Sequence, residues 1–212
     1  MQFVQNRKKE SHNRIVKVAV EEFRKRGFEN VGVAEIMKRA GLTHGGFYSH
    51  FRSKEKLVTA ALDESFKESA RNIGRERKEG KSLQQFVRDY LSVEHRDHPD
   101  TGCPVALLTC DVARQSKAVR ANYAAELTES ISIIGKFLPS KLDSEKRRES
   151  ATAIYAMLIG TLQMARAVPD SELSNQILEA GIKAACALAQ HGGHEHPFRS
   201  ARLAYWRRIP DD

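Results

Sequence analysis

The chain has 212 residues, of which 41% are hydrophobic and 29% charged, and no apolar run approaches the roughly 18 to 20 residues that cross a bilayer. Its first residues are basic and lack the apolar stretch of a secretion signal, which argues against a membrane or secreted protein, and we expect a cytoplasmic one. The net charge of +8 is concentrated in residues 1–56, where 13 Lys or Arg face 6 Asp or Glu, an excess that suits a nucleic-acid partner as well as an ordinary solvated face.

Apolar residues recur at helical spacing along most of the chain, and no strand pattern is present. Gly27, Gly41 and Gly80 stand where helices should end, and Ser53 and Ser82 stand where helices should begin. We expect a loop over residues 95–104 and helices over residues 12–26, 33–40, 43–51, 53–79, 83–93, 105–113, 116–138, 144–168 and 171–190.

The third predicted helix is short and contains two adjacent glycines. Thr43 is a suitable N-cap for it, but Gly45 and Gly46 each weaken a helix by about 1 kcal/mol relative to alanine. Glycine lets a backbone approach a bulky partner more closely than any other residue does. We therefore attribute the pair to a partner that contacts the first turn of this helix.

Residues 33–51 predict two short helices joined by a turn that contains glycine, the arrangement that places a recognition helix in the major groove of DNA. The stretch from Ala34 to Val58, AEIMKRAGLTHGGFYSHFRSKEKLV, resembles the second to fourth helices of the TetR/AcrR family of transcriptional regulators. The resemblance implies an all-α fold, with a helix-turn-helix DNA-binding domain over residues 1–56. A helical bundle for ligand binding and dimerisation would follow over 57–190, and an extension over 191–212.

The resemblance also implies contacts with double-stranded DNA. Tyr48 would point its ring and hydroxyl at the DNA, His50 would contact the backbone, and Lys54 would meet a phosphate at the start of the fourth helix. Gly32 departs from the threonine that the family often carries, which removes one phosphate contact. The complete implied set is Gly32, Val33, Thr43, His44, Gly45, Gly46, Tyr48, His50 and Lys54.

A regulator of this type would repress transcription as a homodimer on a palindromic operator, because each protomer reads one half-site. The last two helices are apolar enough to form the dimer interface, although their small residues equally fit a core within one chain. A small apolar or electrophilic inducer would bind between the other helices of the C-terminal region. Candidates for its site, all of which also fit simple core packing, are Tyr90, Cys103, Leu107, Cys110, Tyr123, Leu127, Tyr155, Leu158 and Leu162.

Other functions were weighed against this one. Cys103 lies in a loop before a helix, where a thiol is either reactive or buried and inert, and an enzyme would combine it with His95 or His98. The three cysteines include no CxxC pair, and no phosphate loop or catalytic triad is present, so we expect no enzyme, cofactor or metal. A metal site at His191, His194 and His196, or a membrane surface bound by the basic first helix, remain alternatives.

Overall fold

The computed structural model describes residues 2–190, and the side chains of residues 5–189. This part of the chain is all-α, as predicted, with nine α-helices, two short 3₁₀ helices and no strand. The α-helices are α1 (Gln2–Arg26), α2 (Val33–Arg39), α3 (Lys54–Lys78), α4 (Leu83–Tyr90), α5 (Val93–Asp97), α6 (Pro104–Ala113), α7 (Lys117–Gly135), α8 (Ser144–Ala167) and α9 (Ser171–Gln190). The first 3₁₀ helix is His44–Ser49, and the second is Pro99–Thr101.

We call α1, α2 and the first 3₁₀ helix the head, and α3 to α9 the body. Glycines end the two α-helices of the head as predicted, because Gly27 (φ 75°) and Gly41 (φ 67°) have left-handed backbone that other residues rarely adopt. After Gly41 the amide of Leu42 donates to the Met37 carbonyl at 2.9 Å, which closes the turn. The buried side chains of the head include Ile15, Ala19, Phe23, Phe28, Ile36, Met37, Ala40, Phe47 and Phe51.

The prediction for the start of α1 was wrong. The helix begins at Gln2 rather than near residue 12. Residues 5–10 are exposed on all sides of the helix, so this segment has no apolar face. A solvated helical extension of this kind leaves no periodic signal in the sequence.

The third predicted helix is a 3₁₀ helix and not an α-helix, and Thr43 makes no side-chain capping hydrogen bond. Two glycines and six residues give it little helical stability of its own, so the tighter, shorter turn is formed around the buried Phe47.

The predicted loop over residues 95–104 contains α5 and the second 3₁₀ helix. Ser92 caps α5 by accepting a hydrogen bond from the amide of His95 at 3.1 Å. The guanidinium of Arg166, from α8, donates to the carbonyls of His95 at 2.5 Å and Arg96 at 3.1 Å. These contacts come from a residue far along the chain, so a local sequence pattern could not indicate them.

The body is built on caps that the sequence predicted. Ser53 accepts from the amide of Lys56 at 3.3 Å, and Ser82 and Gln85 form a capping box at the start of α4. Helix α3 continues across the predicted domain boundary between residues 56 and 57, so head and body share one helix and the boundary itself stays a prediction.

Helices α8 and α9 form the most extensive contact between two elements. A Cβ on Gly181 would lie 2.4 Å from Cγ2 of Thr161, so glycine is required for this close approach within one chain. None of the helices in residues 2–190 is long and apolar enough to cross a membrane.

Candidate nucleic-acid interface

The first 3₁₀ helix presents opposite faces through two adjacent aromatic residues. Phe47 is 1% exposed, and its ring stacks on Phe51 with centroids 5.7 Å apart; the Phe51 ring in turn stacks on His12 at 4.6 Å. Tyr48 is 69% exposed. The core of the head therefore fixes the 3₁₀ helix while leaving the Tyr48 ring free for a partner.

The residues implied at DNA share one part of the head. The structure places them on α2, on the first 3₁₀ helix and at the start of α3, in three consecutive elements. Gly32, Thr43, His44, Gly45 and Tyr48 are exposed. Val33, Gly46, His50 and Lys54 are half-buried.

Three glycines of this region are not required by the chain's own packing. A Cβ on Gly32 or Gly45 would meet nothing within 4 Å, and one on Gly46 would lie 3.6 Å from Oγ1 of Thr43, an ordinary contact. None of the three has positive φ. Since neither backbone strain nor crowding demands glycine here, the observation supports a close approach by something outside the chain.

The start of α3 combines a helix N-terminus with positive side chains. Lys54 is the first residue of this helix, and the exposed Arg52 and Lys56 flank it. The amides of a first helical turn attract anions, so a phosphate would meet several donors here. The sequence analysis named only Lys54; basic residues on both sides of the Ser53 cap were the signal for the other two.

Part of the positive charge of the head is neutralised by ion pairs. The buried Glu22 binds Arg39 and lies 2.7 Å from Arg26, which also pairs with Glu35 at 2.7 Å. These contacts fasten α1 to α2. The excess counted from the sequence therefore overstates the charge that the head can offer to phosphates.

His50 is half-buried behind the first 3₁₀ helix. Its Nδ1 is buried and has no hydrogen-bond partner among the described residues. Burial lowers the pKa of His50 from 6.5, and the nearby His12 and Lys8 lower it further. A DNA contact by His50 at neutral pH would therefore be a hydrogen bond by an uncharged ring.

The candidates for an inducer site do not lie together. Tyr90 and Cys103 line a cavity of about 210 Å³ next to α1, α3 and α4, and the other candidates do not line it. Tyr123, Tyr155, Leu158 and Leu162 are buried, Leu107 and Leu127 are half-buried, and Cys110 is exposed.

Cys103 is a buried thiol held by two neighbours. Its Sγ lies 3.1 Å from the hydroxyl of Tyr155, and its amide donates to Nε2 of His95 at 3.1 Å. The other ring nitrogen of His95, Nδ1, lies 2.7 Å from the Tyr90 carbonyl. Main-chain groups thus occupy both nitrogens of the imidazole, and burial is the inert alternative that the sequence analysis gave for this cysteine.

Within residues 2–190 no three His, Cys, Asp or Glu side chains are placed to hold a metal ion. His191, His194 and His196, the alternative metal site, lie outside the described residues.

Two family models match the chain in its two halves. Residues 15–61 match the model described as bacterial regulatory proteins, tetR family. Residues 80–180 match the C-terminal domain of LmrA/YxaF-like transcriptional regulators. The chain belongs to the TetR family. It is therefore a DNA-binding transcriptional regulator, and the first match contains α2 and the first 3₁₀ helix.

Individual relatives agree with this assignment. The uncharacterized HTH-type transcriptional regulator YdgC of Bacillus subtilis is 43% identical over 53 residues, which are 25% of this chain and 27% of YdgC. The HTH-type transcriptional regulator LmrA of the same organism is 27% identical over 170 residues, covering 76% of this chain and 89% of LmrA. The chain thus spans about a quarter of the length of YdgC but most of the length of LmrA.

A solved structure shows the same fold. The TetR transcriptional regulator from Chloroflexus aurantiacus superposes with a TM-score of 0.71 at 20% identity, over 88% of this chain and 97% of that one. The helical body is therefore that of the TetR-family fold even where the identity of the sequence is low.

Proposed function

We propose that this TetR-family regulator represses transcription as a homodimer on a palindromic operator, and that a small molecule bound in the body releases it. The observation that carries the proposal is the first 3₁₀ helix, which exposes Tyr48 and two glycines on a surface anchored by the buried Phe47. A major groove is wide enough to accept such an element edge-on.

The proposed DNA contacts divide into two kinds. Tyr48, with Thr43 and His44, would reach base edges or the adjacent phosphates from the exposed side of the 3₁₀ helix. Lys54 would bind phosphate at the N-terminus of α3, with His50 on the same backbone and Gly32 and Val33 near the start of α2. Gly45 and Gly46 would allow the approach.

The proposed dimer interface lies on α8 and α9. Met164 is 60% exposed and Leu173 is 48% exposed on these helices, and each is a large apolar side chain without cover in a single chain. Burying such side chains against a second copy stabilises a dimer by the hydrophobic effect. A two-fold axis there would present two heads to the two halves of one operator.

Release by an inducer would follow from differential affinity. A small molecule that binds more tightly to a dimer with displaced heads lowers the population of the DNA-ready form. The low-charge interior of the body, with its buried tyrosines and Cys103, supports a ligand that is mostly apolar.

The test begins with duplexes selected by the full chain from a random pool. We expect enrichment of palindromes with half-sites about one helical turn, 34 to 36 Å, or a multiple apart. A reporter gene behind the selected sequence should lose expression when the regulator is present. Failure to enrich any sequence would contradict the operator, and increased expression would contradict repression.

A further inference from the structure

The cavity of about 210 Å³ beside Cys103 has a wall from the DNA-binding head. Arg24, on the last turns of α1, lines it together with Ile73 of α3 and Phe86 and Tyr90 of α4. Arg24 also lines a second cavity of about 670 Å³ between α1 and α3. A molecule in the smaller cavity would therefore touch the head and the body at once.

The guanidinium of Arg24 has one donor without a partner. Arg24 is 6% exposed; its Nη2 pairs with Glu68 at 3.0 Å, and its Nη1 donates to the carbonyl of Asp100 at 3.2 Å. Its Nε is buried and has no hydrogen-bond partner among the described residues. Buried polar groups in native proteins are almost always satisfied, so this N–H indicates a missing acceptor.

The neighbouring groups define the chemistry of that acceptor. Phe86, Tyr90 and Ile73 supply an aromatic and apolar wall, and the volume is below the 300 to 1,000 Å³ or so of sites for drug-sized ligands. The cavity therefore suits a molecule of about one ring.

Charge excludes ions from this role. Glu68, Glu76 and Asp89 line the cavity, and Lys81 pairs with the last two at 3.5 and 2.6 Å. With Arg24 paired to Glu68, one carboxylate remains in excess, which disfavours an anion. A cation would be repelled by the very group that needs an acceptor.

Arg24 is also placed to transmit occupancy. Asp100 belongs to the second 3₁₀ helix, and its side chain pairs with Lys25 of α1 at 3.4 Å. The same segment is tied to the opposite side of the body, because Nη1 of Arg96 donates to Oγ of Ser174 in α9 at 2.9 Å. The segment of residues 93–103 thus connects the proposed dimer helices with α1.

We propose that this cavity is the effector site, that it takes a small uncharged aromatic molecule bearing a carbonyl oxygen, and that Arg24 couples its occupancy to the head. The coupling step rests on the proposed function, whereas binding at the cavity does not. A ligand oxygen on Nε would reposition the guanidinium and weaken its bond to the Asp100 carbonyl, which changes how α1 sits on the body.

Benzamide is a suitable probe, with benzoate and benzylammonium as ions of the same ring size. Calorimetric titration of the full chain should show saturable benzamide binding, at least about tenfold tighter than that of either ion. Arg24→Lys keeps a cation for Glu68 but removes Nε, and it should weaken benzamide at least about tenfold. Ser69→Leu, which fills the cavity and leaves Arg24 intact, should weaken it similarly. Lys25→Ala, outside the cavity, should bind benzamide as the wild type does.

Coupling is measured as the change in affinity for a selected duplex when benzamide is saturating. The wild type should bind the duplex at least about fivefold more weakly with benzamide, and Arg24→Lys should show no change in this ratio. Absent benzamide binding, equal binding of benzoate, or unaltered binding by both cavity variants would overturn the site. Binding without any change in duplex affinity would overturn the coupling. If no duplex can be selected, the proposed function fails, and the titration still decides the site.

Discussion

Phe47 and Tyr48 are neighbours in the chain, yet one is 1% exposed and the other 69% exposed, with their ring planes 79° apart and centroids separated by 5.4 Å. The tight turn of the 3₁₀ helix produces this contrast, because successive side chains leave it in different directions. Stability and DNA binding therefore reside in different residues of the same six-residue element and can be changed separately.

Replacing Tyr48 by alanine should abolish selective duplex binding, by about 100-fold or more, because the exposed ring is the largest side chain offered by this surface. The free energy of unfolding should change by less than about 0.5 kcal/mol, since the ring is solvated. Gel-shift titration and thermal unfolding check both statements. Phe47→Ala is the matched control and should instead destabilise the protein by about 3 to 5 kcal/mol. A Tyr48→Ala variant that retains wild-type affinity would contradict the assignment.

Gly45→Ala tests whether the glycine pair serves an outside partner. The added Cβ meets nothing within 4 Å, so the unfolding free energy should stay equal or rise by up to about 1 kcal/mol. The affinity for a selected duplex should fall by about tenfold or more, because the methyl group stands between the backbone and the groove. Gly74→Ala of α3 also adds a Cβ in open space and should leave duplex binding unchanged. Equal affinities for the two variants would show that the glycines have no role at DNA.

The sequence contained the caps and the apolar faces but not the contacts between distant elements. Ser82 with Gln85, and the glycines at 27 and 41, are local signals, and the structure has helix ends at each. The segment around α5 was predicted as a loop because five residues give no measurable periodicity. Its helical turn is held by the Arg166 side chain, which local patterns cannot place.

The same limit applies to the cavity. Aromatic and apolar character picked out Tyr90 and Cys103, and both line it. The same character also picked out Leu158 and Leu162, which are ordinary core. Arg24 could not be chosen from the sequence, since an arginine on a basic helix predicts a solvated side chain, and only its pairing with Glu68 and Asp100 explains its burial.

Acidification should destabilise the protein through His95. Burial lowers the pKa of His95 from its ordinary value of 6.5, so the unfolded chain takes up this proton more readily than the folded one. Stability from this group is therefore present above about pH 6.5 and is lost as the pH falls below it. Protonation would also remove the Nε2 acceptor that the Cys103 amide uses. Denaturant unfolding between pH 8 and 5 measures the slope.

His95→Gln supplies the matched variant for this slope, because its amide oxygen can accept from the Cys103 amide without titrating. At pH 8 it should be less stable than the wild type by on the order of 1 kcal/mol, and its stability should depend less on pH. His98→Gln, which changes an exposed histidine, should keep the wild-type profile. An unaltered slope in His95→Gln would assign the effect to other groups.

Met164→Glu should shift the protein from dimer to monomer, since a carboxylate would be buried in the proposed α8–α9 interface without a partner. Sedimentation velocity measures the mass, and the affinity for a full palindrome should fall toward that for a single half-site. Val93 is an exposed apolar residue of α5, 48% exposed, and Val93→Glu should leave the dimer intact. A monomeric wild type, or an unaffected Met164→Glu dimer, would locate the interface elsewhere.

The contact of the first 3₁₀ helix with DNA is tested most directly by photocrosslinking. Tyr48 is replaced by p-benzoylphenylalanine in the full chain, Val93 is replaced likewise as the exposed control, and each is irradiated with a selected duplex. The account predicts crosslinks from position 48 to bases within each half-site, and none from position 93. A duplex that binds selectively but forms no crosslink to position 48 would contradict it.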